Sequence, residues 1–224
     1  MKYIIMCGGK YNDLEYPKWL SLVYGEKLID RTIRLLKEKG IKDIYLSGNS
    51  SYFRESYKGC KLLEHENNFE IEKGKKIKGY WLEAFYPSDE PVTYLYGDVY
   101  YSEEAIMKIV DIDTKGILMY GSKNIKENPY YFKKWEEPFA FKVKDQHHFR
   151  VAIEICKMLC DDNKTDREPI SWELYRVLNN YDINTHIIGD NYIAIDDYTT
   201  DIDSLEDIGK LEGILHEIHN THNT

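Results

Sequence analysis

The sequence predicts an α/β fold on a mostly parallel mixed sheet, and three neighbouring stretches carry that expectation. "KYIIMC" (residues 2–7) is a short, continuous apolar run, the pattern of a strand buried on both faces. "KLIDRTIRLLKEK" (27–39) sets Leu28, Ile29, Ile33, Leu35 and Leu36 mostly on one helical face and stops at Gly40. "IKDIYLSG" (41–48) is a second strand, so the chain opens as strand, loop, helix, strand. That is one βαβ unit, which favours parallel strands joined by a right-handed crossover.

The remaining elements follow in order. A short strand is expected at 60–66, then a lysine-rich polar segment to Lys78, and "GYWLEAFYP" (79–87) fits a helix closed by Pro87. "PVTYLYGD" (91–98) is again apolar and β-rich, stopping at Gly97-Asp98. Ser102, with Glu103 and Glu104 in the next turn, predicts a capped helix over 102–110. "GILMYGS" and "PFAFKVKD" read as strands, 147–160 and 171–180 as helices, the latter with Ser171 as cap. A strand near 183–195 and an amphipathic helix after Ser204 complete the chain. With no repeat and no Pro- or Ser-rich linker, residues 1–224 read as one domain with a frayed tail at 219–224.

Composition narrows the function classes. A net charge of −9 argues against a nucleic-acid binder, whose domain usually carries a basic face. It leaves room for a small anionic substrate, because a few lysines or a bound cation reverse the field within one cleft. No apolar run approaches the ~20 residues of a membrane span, and the opening apolar stretch is too short for a signal peptide. A cytoplasmic location is therefore expected. Cys7, Cys60, Cys156 and Cys160 form no CxxC pair and read as reduced, packed thiols.

Three places can carry chemistry, each with a plainer reading beside it. "IIMCGGKYNDLEYPKWL" (4–20) ends a buried strand at Gly8-Gly9-Lys10 and returns through Pro17-Lys18. Glycine amides cradle phosphate oxygens and lysine supplies a compact positive charge, although a glycine pair also serves a simple tight turn. Asp98 ends an inner strand, where a carboxylate is costly to desolvate unless paired or metal-bound; it also suits a plain turn. In "DDYTTDIDSLEDIGKLEGIL", Asp201 and Asp203 alternate and share a face, where hard oxygens suit Mg²⁺; a solvated acidic loop is the alternative. Neither a Walker A pattern nor a GxGxxG is present.

In this order the elements resemble the nucleotidyltransferases that act on sugar phosphates and alcohol phosphates. The likeness rests on "IIMCGGKYNDLEYPKWL", "YLYGDVYYS" and "TDIDSLEDIGKLEGIL", and the short length looks most like the compact cytidylyltransferases, including those for choline phosphate. The first loop departs from the family in lacking an arginine, with Lys10 as its nearest cation. The resemblance implies a single three-layer Rossmann-like (GT-A-like) domain. It also implies transfer of a nucleoside monophosphate, CMP favoured, from an NTP to a phosphorylated acceptor, with Mg²⁺ and release of pyrophosphate.

By the same resemblance Lys18, Asp98 and Asp203 serve catalysis, and Asp98, Asp201 and Asp203 hold the metal. The nucleotide meets Cys7, Gly8, Gly9, Lys10, Lys18, Gly79 and Asp98. The acceptor is expected at Lys123 and Lys126, with Tyr131, Trp135 and Glu136 (beside Tyr130 and Phe132) as an aromatic wall suited to a quaternary ammonium; an ordinary aromatic patch packing one loop onto the sheet is the plainer alternative. Two rival readings are a GT-A-type glycosyltransferase and a non-catalytic nucleotide-binding domain. Oligomeric state is not legible in these residues.

Overall fold

The computed structural model describes residues 1–8, 16–48, 56–64, 81–123 and 126–222. Its elements are β1 (Lys2–Met6), a 3-10 turn (Lys18–Leu20), β2 (Leu22–Val23), β3 (Glu26–Lys27), α1 (Leu28–Glu38), β4 (Ile44–Gly48), β5 (Ser56–Tyr57) and β6 (Cys60–Glu64). A second 3-10 turn (Trp81–Ala84), β7 (Val92–Tyr96), β8 (Val99–Tyr100), α2 (Glu103–Asp111), β9 (Ile117–Ser122), β10 (Pro138–Val143) and α3 (Gln146–Asp161) follow. The chain closes with α4 (Ser171–Leu178), β11 (Tyr192–Ile195), β12 (Thr200–Asp201) and α5 (Leu205–His222).

Eight strands form one mixed sheet in the order β11-β9-β10-β7-β1-β4-β6-β5. The pairs β7-β1, β1-β4, β4-β6 and β11-β9 are parallel, as the βαβ reading requires. β10 runs antiparallel to both its neighbours, and β5 folds back on β6. Every residue of β7 is buried, which shows that both faces of the sheet are covered at its centre. On α1, Leu28, Ile29, Ile33, Leu35 and Leu36 are buried, the stripe that the helical period foretells. On α3, Phe149 joins Phe85, Tyr94 and Phe141 in an aromatic cluster with centroids 5.1 to 5.8 Å apart, edge-to-face around Phe85 and stacked between Phe149 and Tyr94. Cys7, Cys60 and Cys156 are buried, and all four cysteines are unpaired.

Three local expectations are corrected. The helix expected over 79–87 is, in its described part, only the 3-10 turn Trp81–Ala84, after which Phe85 drops into the core and Pro87 forbids continuation. The strand expected from 183 begins only at Tyr192. Side chains claim the backbone before it: Arg176 donates to Ile183 O at 2.7 Å, and Gly189 N–H donates to the Tyr175 hydroxyl at 2.9 Å. Ser171 does not cap α4, because Glu173 Oε2 takes that role by accepting the Ile170 N–H at 3.0 Å. Ser171 is then free to share a hydrogen bond with the Tyr96 hydroxyl. Ser102 does cap α2, accepting the Ala105 N–H at 2.8 Å. Helix α5 continues through His222, beyond the point where fraying was expected to begin.

Two contacts decide where a site can form. β1 and β7 are parallel neighbours with Met6 opposite Tyr96, so both open onto the same edge of the sheet. At Gly97 the chain passes so close to β1 that a Cβ would stand 2.5 Å from Met6 O, whose carbonyl accepts the Gly97 N–H at 3.0 Å. Gly97→Ala is therefore expected to destabilise the fold by about 1–3 kcal/mol through overpacking against backbone. Urea unfolding checks this, and a midpoint equal to the parent's would show that the β1–β7 contact is slack.

Candidate active site

The site begins where β1 and β7 end side by side. Met6, Gly8, Lys18, Trp19, Trp81, Ala84, Tyr96 and Asp98 line a cleft that is open to solvent. Pro17 and the 3-10 turn after it bury Trp19 and turn the Lys18 side chain toward Asp98. Cys7 stands behind this wall with its N–H already donated to Ser47 O at 2.8 Å, and burial pushes its thiol up. Of the expected nucleotide-binding residues, Gly9, Lys10 and Gly79 lie outside the described residues.

A second segment reaches the same point from the far end of the chain. β12 pairs antiparallel with β8, Thr200 opposite Tyr100 and Asp201 opposite Val99. Ile202 N–H then donates to Asp98 O at 2.8 Å. Asp98 is thereby brought close to Asp203, whose charge it feels. Lys18 Nζ pairs with Asp203 Oδ1 and lies 3.7 Å from Asp98 Oδ2, so two carboxylates from distant segments already share one positive charge.

The start of α5 fixes the other side of Asp203. Asp207 N–H donates to Ser204 Oγ at 3.3 Å, while Asp207 Oδ2 accepts the N–H groups of Asp203 and Ser204 at 2.9 and 3.1 Å. This is a reciprocal cap with aspartate in the usual Glu/Gln position. Lys133 completes it, its Nζ 2.9 Å from Asp207 Oδ2, 3.0 Å from Asp203 Oδ2 and 3.5 Å from Asp201 Oδ1. The positive charge expected between Asp201 and Asp203 is thus supplied here by a lysine from the loop before β10. Sequence reasoning missed Lys133, because its partners lie about 70 residues further along the chain and nothing local sets it apart from Lys134.

Charge in this cluster is finely divided. Burial opposes the Lys18 ammonium, but Asp98, Asp203 and Asp201 outweigh it and raise its pKa. Lys133 is raised against burial in the same way, chiefly by Asp201 and Asp203. Desolvation pushes Asp98 up, with Lys18 opposing and Asp203 reinforcing. Asp201 stands well above the usual carboxylate range through burial and the charges of Glu137 and Asp203. Asp203 is resisted by burial but drawn well below that range by Asp201, Lys18 and Lys133. Glu137, also missed by the sequence reading, is pushed up to about 7 by burial and the Asp203 charge.

Among the described residues no group of three or more His, Cys, Asp or Glu is arranged to hold a metal ion by itself. Asp98 and Asp203 nevertheless fit a hard cation whose remaining ligands come from a bound phosphate, the usual arrangement for Mg²⁺. Asp201 adds a buried Oδ1 that has no hydrogen-bond partner and only the 3.5 Å ion pair to Lys133.

The expected acceptor wall is not assembled. Tyr131 is buried in the main core with its hydroxyl donated to Trp135 O at 2.9 Å, while Phe132 packs in a separate cluster with Val23 and Tyr100. Trp135 is 65% exposed and its ring carries the Lys134 ammonium at 4.9 Å. Lys123 pairs with Asp196 at 3.7 Å, Lys126 is exposed, and Glu136 lies 3.3 Å from His186 Nε2. The aromatics are divided between core and solvent, Tyr131 at 2% exposure and Tyr130 and Trp135 at 43% and 65%.

No family model matches the chain, and no curated protein matches it. Solved structures do. A Bacillus anthracis protein described as a glucose-1-phosphate thymidylyltransferase superposes with a TM-score of 0.59 at 13% identity, covering 95% of this chain and 94% of its own. The 2-C-methyl-D-erythritol 4-phosphate cytidylyltransferase of Thermus thermophilus gives 0.54 at 10% identity over 96% and 98%. The CTP:phosphocholine cytidylyltransferase of Streptococcus pneumoniae gives 0.53 at 17% identity over 96% and 98%. At these identities the likeness establishes the fold: the chain has the three-layer architecture of the nucleotidyltransferases that its motifs resemble.

Three carboxylates around the Lys133 ammonium make Asp201 a net liability when ionised. Asp201→Asn is expected to stabilise the protein at pH 7 by about 1 kcal/mol, a rise of about 2–4 °C in Tm. The folded pKa of Asp201 lies above its unfolded value, so the cost of its charge is absent at low pH and grows as pH rises. The gain should accordingly vanish in thermal melts below about pH 4, the unfolded carboxyl range. A lower Tm for the variant at neutral pH would refute this account.

Proposed function

We propose that the chain is a nucleotidyltransferase that moves a nucleoside monophosphate from an NTP to a phosphorylated sugar or alcohol and releases pyrophosphate. The convergence of Asp98 and Asp203 on one positive charge, beside the end of β1 and the Gly8 that follows it, carries this reading. A solvated acidic loop would have no reason to meet the end of an inner strand.

The roles follow from charge. Asp98 and Asp203, with Asp201 behind them, hold Mg²⁺, which when bound neutralises charge on the triphosphate. Lys18 turns its ammonium from the carboxylates to the phosphates as the nucleotide enters, and the main chain at Gly8 lies against them. The acceptor's phosphate is largely ionised at pH 7 and attacks the α-phosphorus directly, so no general base is required of the protein. Positioning and charge neutralisation remain, and these are what the cleft supplies. CTP is the favoured nucleotide, because two of the three superposed enzymes are named cytidylyltransferases. Residues 1–224 act as one domain, in the cytoplasm; no helix among the described residues is long and apolar enough to cross a membrane.

Purified protein given each NTP with Mg²⁺ and phosphocholine, a sugar 1-phosphate or glycerol 3-phosphate should release pyrophosphate with at least one pair. Asp98→Ala and Asp203→Ala are each expected to lower that rate about 10²-fold or more, and Lys18→Met comparably. Turnover unchanged by either aspartate substitution would sink the assignment. Transfer from a nucleotide-sugar without pyrophosphate would point to a glycosyltransferase, and nucleotide binding without turnover to a non-catalytic module.

A further inference from the structure

The two carboxylate oxygens of Asp203 face different cations. Oδ1 meets Lys18 in the cleft wall, while Oδ2 accepts from Lys133 at 3.0 Å. The two lysines are not equivalent. Lys18 lines the cleft and answers to two carboxylates. Lys133 answers to three, and one of these, Asp207, is itself clamped by the N–H groups at the start of α5. An incoming nucleotide can draw Lys18 away; Lys133 has no comparable path, because moving it strands Asp201 and Asp207 in a largely buried cluster.

We propose that Lys133 is a specificity-determining positioning residue. By keeping Oδ2 of Asp203 engaged, it leaves Oδ1 as the only oxygen of that carboxylate available to a divalent cation, and so favours Mg²⁺ over Ca²⁺. The physical basis is coordination number. Mg²⁺ holds six ligands in near-ideal octahedral order and takes one oxygen from each carboxylate, whereas Ca²⁺ accepts six to eight and readily takes both oxygens of one. A carboxylate with one oxygen occupied suits the smaller ion and denies the larger its extra ligand. The inference rests on the reading of Asp98 and Asp203 as a divalent-cation site.

Trp19 and Trp81 line the cleft, so their fluorescence offers a binding signal independent of turnover. With CTP present in excess and no acceptor, so that Lys18 is drawn to the phosphates without turnover, Mg²⁺ and Ca²⁺ are each titrated, against protein-free blanks, into the parent, Lys133→Met, Lys133→Arg and Asp203→Ala. Lys133→Met is expected to shift the ratio of the two dissociation constants toward Ca²⁺ about tenfold, the freed second oxygen serving Ca²⁺ only. Lys133→Arg, which keeps a donor on Oδ2, should retain the parent's ratio. A structural strut would weaken both ions equally in Lys133→Met, and that result overturns the inference. If Lys133→Met folds poorly, Lys133→Met/Asp207→Asn removes one stranded charge and is read in the same way; failure of both to fold also overturns it. Metal binding untouched by Asp203→Ala would instead dismiss the cation site itself. Binding lost in Asp203→Ala but an unchanged ratio in Lys133→Met would dismiss only the role of Lys133.

Discussion

The candidate site depends on one short ladder. β8 and β12 exchange only the pairs Tyr100–Thr200 and Val99–Asp201, extended by the bond from Ile202 N–H to Asp98 O. These few bonds join two segments about a hundred residues apart and set three aspartates beside the end of β7. Closing so long a loop costs conformational entropy that two backbone pairs do not repay alone. The burial of Ile202 and Leu211 with Val23, Leu28 and Tyr100 supplies the remainder, so the second core cluster holds the carboxylates in place.

Gathering like charges this way is unfavourable, and the structure offsets it with lysines rather than by exposing the carboxylates. Lys18 and Lys133 stand on either side of Asp203 and raise the field that keeps it ionised. Asp201, Asp98 and Glu137 remain under-compensated, with pKa values displaced upward by burial and mutual repulsion. Such displaced carboxylates concentrate where a ligand is meant to complete the charge balance. A cation together with an anionic phosphate satisfies both kinds of group at once.

The reversed strand β10 explains how Lys133 arrives. Were β10 parallel to β7, the loop before it would lie at the opposite edge of the sheet. Running antiparallel, with Ala140 opposite Leu95, it starts at the edge where β1 and β7 end, and so brings Lys133 and Glu137 to the aspartates.

The sequence by itself determined the α/β class, the order of nearly every element, and the residues at strand ends where chemistry could occur. Those properties live in short windows: apolar period, a helix cap such as Ser102, a strand stopped by Gly97-Asp98. It also singled out Asp98 at the end of a buried strand, Lys18 in the Pro-Lys that closes the glycine loop, and Asp201 and Asp203 by their alternation in an acidic segment. Only the tertiary structure decided that β10 runs backwards, that Lys133 stands among Asp201, Asp203 and Asp207, and that Ser171 bonds Tyr96 instead of capping its helix. Each of these depends on partners far away in the chain, and a window of ten or fifteen residues contains no trace of what will be packed against it.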